Sequence, residues 1–350
     1  MANSPLRKPW ALRLSEALPL SPAALGVAIM LAFLALRTGF LAIFGDPERS
    51  PVLIAAFWRH PTWPVVILNA ALIGYMTAMM IVGLRGARRD LADLRPLLDC
   101  SDAQHRRLLD EVTKIDWRRR SLTAAVAAAV GGLVPIFDPG IRHQFGTLSL
   151  LDPLMLFVIG RHMLFGWLIG ENLAIDTEVT RLFSRIGALT RIDLLDPSPL
   201  APFAHRGLRT ALLWVIAMIL FSLFWIGPSP ATINAGLMVL LIAITTAFFT
   251  LPVRGVQQRI RETKRAELAS LRARIRSDLD ALQASKGERA RAAAQRLPAL
   301  LASEGRIQGV REWPIDLSTL LRFALYISIG LSSWVGGALV ERLLAAALDG

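Results

Sequence analysis

LTAAVAAAVGGLVPIF, residues 122–137, decides how the rest of the chain is threaded. At sixteen residues it is short for a membrane span, because about 20 apolar residues are needed to cross the hydrocarbon core. It is also rich in Ala and Gly, so its flanks suit close packing against other helices better than contact with lipid. If it failed to cross, every later segment would invert and the 14 Lys and Arg between residues 254 and 315 would change sides. It is therefore read as a span.

Six further apolar runs surround it, at residues 23–44, 64–84, 153–170, 211–226, 233–253 and 317–344. Backbone amides cannot go unpaired in lipid, so each run reads as a helix. The first follows Arg7, Lys8 and Arg13 as a secretory signal would, yet it is too long for a signal core and is kept as a span. Trp63 and Trp225 at one boundary, and Trp117 and Trp313 at the other, occupy headgroup positions. Asp152 and Asp316 stand where they can cap the fourth and seventh helices.

Basic residues set the orientation. Of 39 Lys and Arg, 32 fall on the side of the N-terminus and 4 on the other, with Arg37, Arg161 and Arg322 inside spans. The expectation is an all-α, polytopic bundle of seven transmembrane helices, N-terminus inside and C-terminus outside, in the cell membrane, here a bacterial cytoplasmic membrane. The formal charge of +12 is accounted for by cytoplasmic loops, so nucleic acid is not expected as a partner. The lone Cys100 excludes an internal disulfide.

Three stretches are expected: residues 1–253 with six spans, 254–315 as a cytoplasmic helical hairpin, and 316–350 as the last span. In the hairpin, Ile260, Leu268, Leu271, Ile275, Leu279 and Leu282 recur mostly at steps of three and four, and Leu297, Leu300, Leu301 and Ile307 return. Ser285, Lys286 and Gly287 can turn the chain. Its basic faces suit anionic headgroups of the bilayer or a protein partner. Val179, Leu182, Phe183, Ile186 and Leu189 read as a separate interfacial helix, and residues 52–58 as a short cover on the outer side.

Chemistry is sparse. No phosphate-cradling loop, H-E-x-x-H or G-x-S-x-G occurs, and His60, His105, His143, His162 and His205 lack metal-ligand spacing. No catalytic residue, metal or cofactor is expected. What stands out is Arg161 at the centre of the fourth span, next to His162, since a guanidinium at that depth costs about 2.5–3.5 kcal/mol and must find acceptors or water. Its partners are expected to be helix carbonyls, Asp152, Glu171 or a bound ion or substrate. His162 points about 100 degrees away on an ideal helix. The seventh helix adds a polar or small stripe, Arg322, Tyr326, Gly330, Ser333, Gly337 and Glu341, at steps of 4, 4, 3, 4 and 4. The stripe reads either as close packing or as the lining of an aqueous path or symmetric interface, the last implying a homo-oligomer.

The run EWPIDLSTLLRF from Glu312, with SSWVGGALVER from Ser332, resembles the C-terminal part of uncharacterised bacterial multipass membrane proteins. Seven helices with this orientation are also similar in topology to the insect odorant and gustatory receptor channels, which implies a pore-lining last helix; their terminal Tyr and Gln-Phe signature is lacking here. The expected function is channel- or carrier-like, passing or binding an anion or small polar ligand through Arg161, His162, Arg322, Tyr326 and Ser333. The alternative is a sensor or assembly module acting through the hairpin.

Overall fold

A computed structural model describes residues 6–44, 63–137, 149–194, 196, 198–223, 231–284 and 288–348, with only the backbone described at 6, 63–65, 198, 231–238, 284, 333–335 and 337–348. The described chain is all-helical apart from a two-residue strand pair, β1 (Leu6–Arg7) with β2 (Ile115–Asp116), in which Leu6 faces Asp116 and Arg7 faces Ile115. The helices are α1 (Trp10–Ala17), α2 (Pro22–Phe44), α3 (Trp63–Asp93), α4 (Asp102–Thr113), α5 (Trp117–Phe137), α6 (Pro153–Leu189), α7 (Ala201–Ser222), α8 (Ala231–Ala284), α9 (Glu288–Gly309) and α10 (Leu317–Leu348). Six of them, α2, α3, α5, α6, α7 and α8, are long and apolar enough to cross a membrane; α10 shows a described apolar stretch at Leu317–Ser332. The chain is thus built as a multipass membrane protein. The 52–58 segment, Trp225, the 285–287 turn and the side chain of Ser333 lie outside the described residues.

The Ala- and Gly-rich segment sits within α5, which starts earlier than its apolar run, at Trp117. It packs along α6 more extensively than any other helix pair packs. Gly170 of α6 lies so close that a methyl group there would come within 2.7 Å of Ala124 Cα, and Gly166 and Gly131 meet the backbone carbonyls of Ala127 and His162. Small residues let the two backbones touch, and without a hydrophobic force between helices in lipid such contact is what holds them together. The same device joins α2 to α3 at Gly26 and Gly74.

One expectation is corrected. The stretch from Val179 to Leu189 is not a separate interfacial helix: α6 runs unbroken for 37 residues, with Asp152 accepting from the Leu154 amide at its start. Val179, Leu182, Phe183 and Ile186 are buried, against Leu84, Leu91 and Leu94 of α3, Val112 of α4, Phe203 of α7 and Val256 and Ile260 of α8. Leu189 alone of that set is exposed. Several helices thus continue past their apolar spans and build a second hydrophobic core at the N-terminal end of the bundle.

Beyond that core α8 and α9 form an antiparallel hairpin. Arg261–Glu312 (2.9 Å), Arg272–Glu304 (2.7 Å) and Arg296–Asp278 (3.0 Å) tie one side to the other in descending register, and Lys264 Nζ donates to the carbonyls of Gln308 and Val310. Leu271, Ile275 and Ala293 are buried between the two helices, whereas Leu279 and Leu301 stay exposed.

Candidate functional site

Charges inside the bundle fall into two groups, and their pairing separates them. In the first group every carboxylate has a cation. Asp176 of α6 accepts from Arg206 Nη2 at 3.1 Å and from Trp214 Nε1 at 2.9 Å, both on α7. Arg206 Nη1 donates to the Gly83 carbonyl of α3 at 3.1 Å, and Arg209 grips Asp90 of α3 with both terminal nitrogens at 2.7 and 2.9 Å. Arg120 of α5 pairs with Glu171 of α6 at 3.1 Å. Nearby, Tyr75 Oη donates to the Leu213 carbonyl, and Asn172 Nδ2 to the Met76 and Leu168 carbonyls. Glu171 lies 18 residues and Asp176 23 residues beyond Pro153, about 27 and 35 Å along the helix at 1.5 Å per residue, so this layer falls around the far limit of a hydrocarbon core about 30 Å thick. It sutures α3, α6 and α7.

The second group has no carboxylate among the described residues. On α2, Phe33, Arg37, Phe40 and Phe44 follow at steps of 4, 3 and 4 and share one face. On α6, Phe157 and Arg161 are one turn apart. The rings interleave: Phe157 lies 6.3 Å from Phe33 and 4.8 Å from Phe40, which in turn lies 4.9 Å from Phe44. The ladder sets Arg37, three residues before Phe40, and Arg161, four residues after Phe157, on the same α2–α6 seam. Both arginines are half-buried. Arg161 Nε is shut off from solvent and has no hydrogen-bond acceptor among the described residues. Among the described residues no ion pair is formed by either arginine.

The depths agree. Arg161 follows Pro153 by eight residues and Arg37 precedes Phe44 by seven, which places each about 10–12 Å from the same end of the bundle. The partners expected for Arg161 are engaged elsewhere, Asp152 as a helix cap and Glu171 with Arg120. The charged side chain that shares the α2–α6 seam with Arg161 is a second cation, Arg37.

The remaining candidate residues are spread out. His162 Nδ1 lies 2.8 Å from the Val158 carbonyl of its own helix, and its backbone carbonyl abuts Gly131 of α5, so it belongs to the α5–α6 seam. Arg322 is exposed. Tyr326 is half-buried against Leu208, Ala211 and Phe249, where Phe323 stacks on Phe249 at 4.1 Å, and Gly330 is buried against Met218. α10 thus lies along α7, where Tyr326 and Gly330 of its stripe pack against neighbouring side chains while Arg322 stays exposed.

The two best-formed cavities among the described residues hold about 100 and 90 Å³, and both are at the second core, one beside Lys8 and Arg85, the other beside Glu111 and Glu178. Neither reaches Arg161. His105 is buried in the same region, where burial first and Arg95 second push its imidazole below the ordinary value. No cluster of three or more His, Cys, Asp or Glu with metal-binding geometry occurs among the described residues.

The sequence places Arg37, Arg161 and Arg322 inside spans but singles out only Arg161, and Asp176, Arg206 and Asp90 were missed. A signal was present: Leu168, Asn172, Asp176, Val179 and Phe183 form one continuous face of α6, and Arg206, Thr210 and Trp214 one face of α7. Compared with known proteins, the chain matches no family model, no curated protein and no solved structure.

Proposed function

We propose that this multipass protein binds, and as a channel or carrier passes, an anion at Arg37 and Arg161. The observation that carries the reading is the unmatched pair itself. Two guanidiniums on one apolar seam, with no carboxylate among the described residues to match them, cost free energy that a bound anion offsets, and a ligand that neutralises both gains charge-assisted hydrogen bonds from each. The pairing of the other interior carboxylates leaves them no role as competing counterions.

In this reading α10, 32 residues long, is the seventh span, the N-terminus is inside and the C-terminus outside, as the 32-to-4 division of Lys and Arg supports. The arginine pair then lies in the outer half of the bundle and the hairpin in the cytoplasm. A C-terminal reporter fusion active only outside the cytoplasm is the expected result; activity inside would refute this orientation.

The anion site is tested on purified protein by thermal stabilisation with sodium phosphate, sulfate, chloride and octanoate at fixed ionic strength. At least one anion should stabilise the native protein and not Arg161→Gln. Equal stabilisation of both would refute the site. Transport requires in addition that the same anion cross proteoliposomes carrying the native chain and not the variant.

A second reading, an assembly module acting through the hairpin, is favoured by one observation: Leu279 is 40% and Leu301 50% exposed on an otherwise charged element. It predicts that the hairpin, and not Arg161, carries activity.

A further inference from the structure

An anion drawn from water and an anion carried on a hydrocarbon tail would reach Arg37 and Arg161 by different routes. We infer that the ligand of this site is an amphiphile, a carboxylate, sulfate or phosphate ester on an acyl chain, entering sideways from the bilayer between α2 and α6. The inference rests on the anion reading above and names the class of ligand.

Three observations point this way. The first is what surrounds the charges: Phe33, Phe40, Phe44 and Phe157 form the ladder, and among the described residues no hydroxyl, amide or carboxylate side chain is bonded to either arginine. A small hydrated ion gains little from such walls and loses its water. An amphiphile lays its chain against the rings and keeps only its head for the guanidiniums. The second is access. α2 packs mainly on α3, and its flank beside Arg37 is open, with Leu36 64%, Ile43 73% and Phe44 53% exposed. In a bilayer that flank faces lipid. The third is depth. At about 10–12 Å from the helix ends the pair lies on one side of the midplane, and long arginine side chains extend toward that leaflet, so a headgroup drawn in from it meets two guanidiniums together.

A resident anionic lipid and a free amphiphile such as a fatty acid share this chemistry, and the test separates them. The protein is placed in nanodiscs of phosphatidylcholine and titrated with 11-(dansylamino)undecanoate, followed by dansyl fluorescence. Saturable binding is expected, weaker by about tenfold or more in Arg161→Gln and in Arg37→Gln, since hydrogen bonds to charged groups are each worth about that factor. The uncharged methyl ester should not bind saturably. Replacing phosphatidylcholine with phosphatidylglycerol should suppress probe binding if a lipid headgroup is the occupant, and leave it unchanged if a free amphiphile is.

Equal affinity for acid and ester, or no loss in a variant that elutes monodisperse with native helicity, overturns the proposal. If Arg161→Gln does not fold, Arg37→Gln decides. Displacement of the probe by inorganic phosphate or acetate as readily as by dodecanoate also overturns it, while leaving the anion reading intact. Binding of neither small anions nor amphiphiles removes both.

Discussion

Replacing Asp176 with alanine should destabilise the bundle severely, and the structure sets the size of the effect. The side chain of Arg206 is 1% exposed and that of Asp176 is 8% exposed, so the substitution leaves a guanidinium in a dry site with one carbonyl, that of Gly83, as its bonded acceptor. Breaking a buried pair on one side costs about 3–5 kcal/mol, and Trp214 Nε1 loses its acceptor in the same step. Removing both charges with shape-matched residues, Asp176→Leu with Arg206→Met, should cost less than Asp176→Ala alone, because no unpaired charge remains. Arg272→Ala is the control: its ion pair with Glu304 leaves Arg272 55% exposed, and an exposed pair is worth about 0–1 kcal/mol. The assay is reversible unfolding by sodium dodecyl sulfate in mixed micelles, followed by Trp fluorescence and far-UV circular dichroism. A loss below about 1 kcal/mol for Asp176→Ala, no larger than for Arg272→Ala, would refute the reasoning and mean that water reaches the network.

Other expected outcomes test separate parts of the fold. Gly166→Val should cost about 1–3 kcal/mol or more, because its new atoms strike the Ala127 backbone, whereas Gly160→Ala, with open space around it, should be neutral in the same unfolding assay. Ile275→Pro should break the hairpin at about 3 kcal/mol or more, read as lost hydrogen-exchange protection over α9 with the spans unaffected. Asp316, which accepts from the Thr319 amide and the Ser318 hydroxyl, is held at about 2, below the ordinary carboxylate value, chiefly by Ser318. A folded-state value below the unfolded one stabilises the start of α10 above about pH 4, and that contribution fades as pH falls toward 2. Asp316→Asn should abolish this pH dependence in amide exchange at the start of α10; an unchanged profile would sink the assignment.

Hydropathy and periodicity made the helices legible because each is a local property of the chain. The short 122–137 run could be kept as a span on charge grounds, and its small residues do face a neighbour, as Gly131 and Ala127 against α6 show. The hairpin was legible for the same reason, its apolar spacing being read along one helix at a time. What local reading lost was the continuation of α6. Glu171, Asn172 and Asp176 look like the end of a span, and only their partners, Arg120, Met76 and Arg206 on three other helices, make them interior. Pairing across 30 to 96 residues leaves no trace in a window. The candidate site divides the same way: Arg161 announces itself as a charge in an apolar run, whereas its proximity to Arg37 depends on how α2 and α6 are laid together through phenylalanines.

α8 carries one more consequence. It is a single helix of 54 residues, interrupted by neither turn nor break, although Pro252 lies within it. From Pro252 to Ala284 it measures about 48 Å at 1.5 Å per residue, so pivoting by about 5 degrees at the proline would swing the far tip by about 4 Å. Such a lever turns an adjustment among packed side chains, too small to matter where it starts, into a displacement that a neighbouring macromolecule can register. Near the pivot Phe249 stacks on Phe323 of α10 and Gly255 packs on Ser184 of α6, so the fulcrum is clamped by two other helices while the tip is tied to its own return strut, as Asp278 to Arg296.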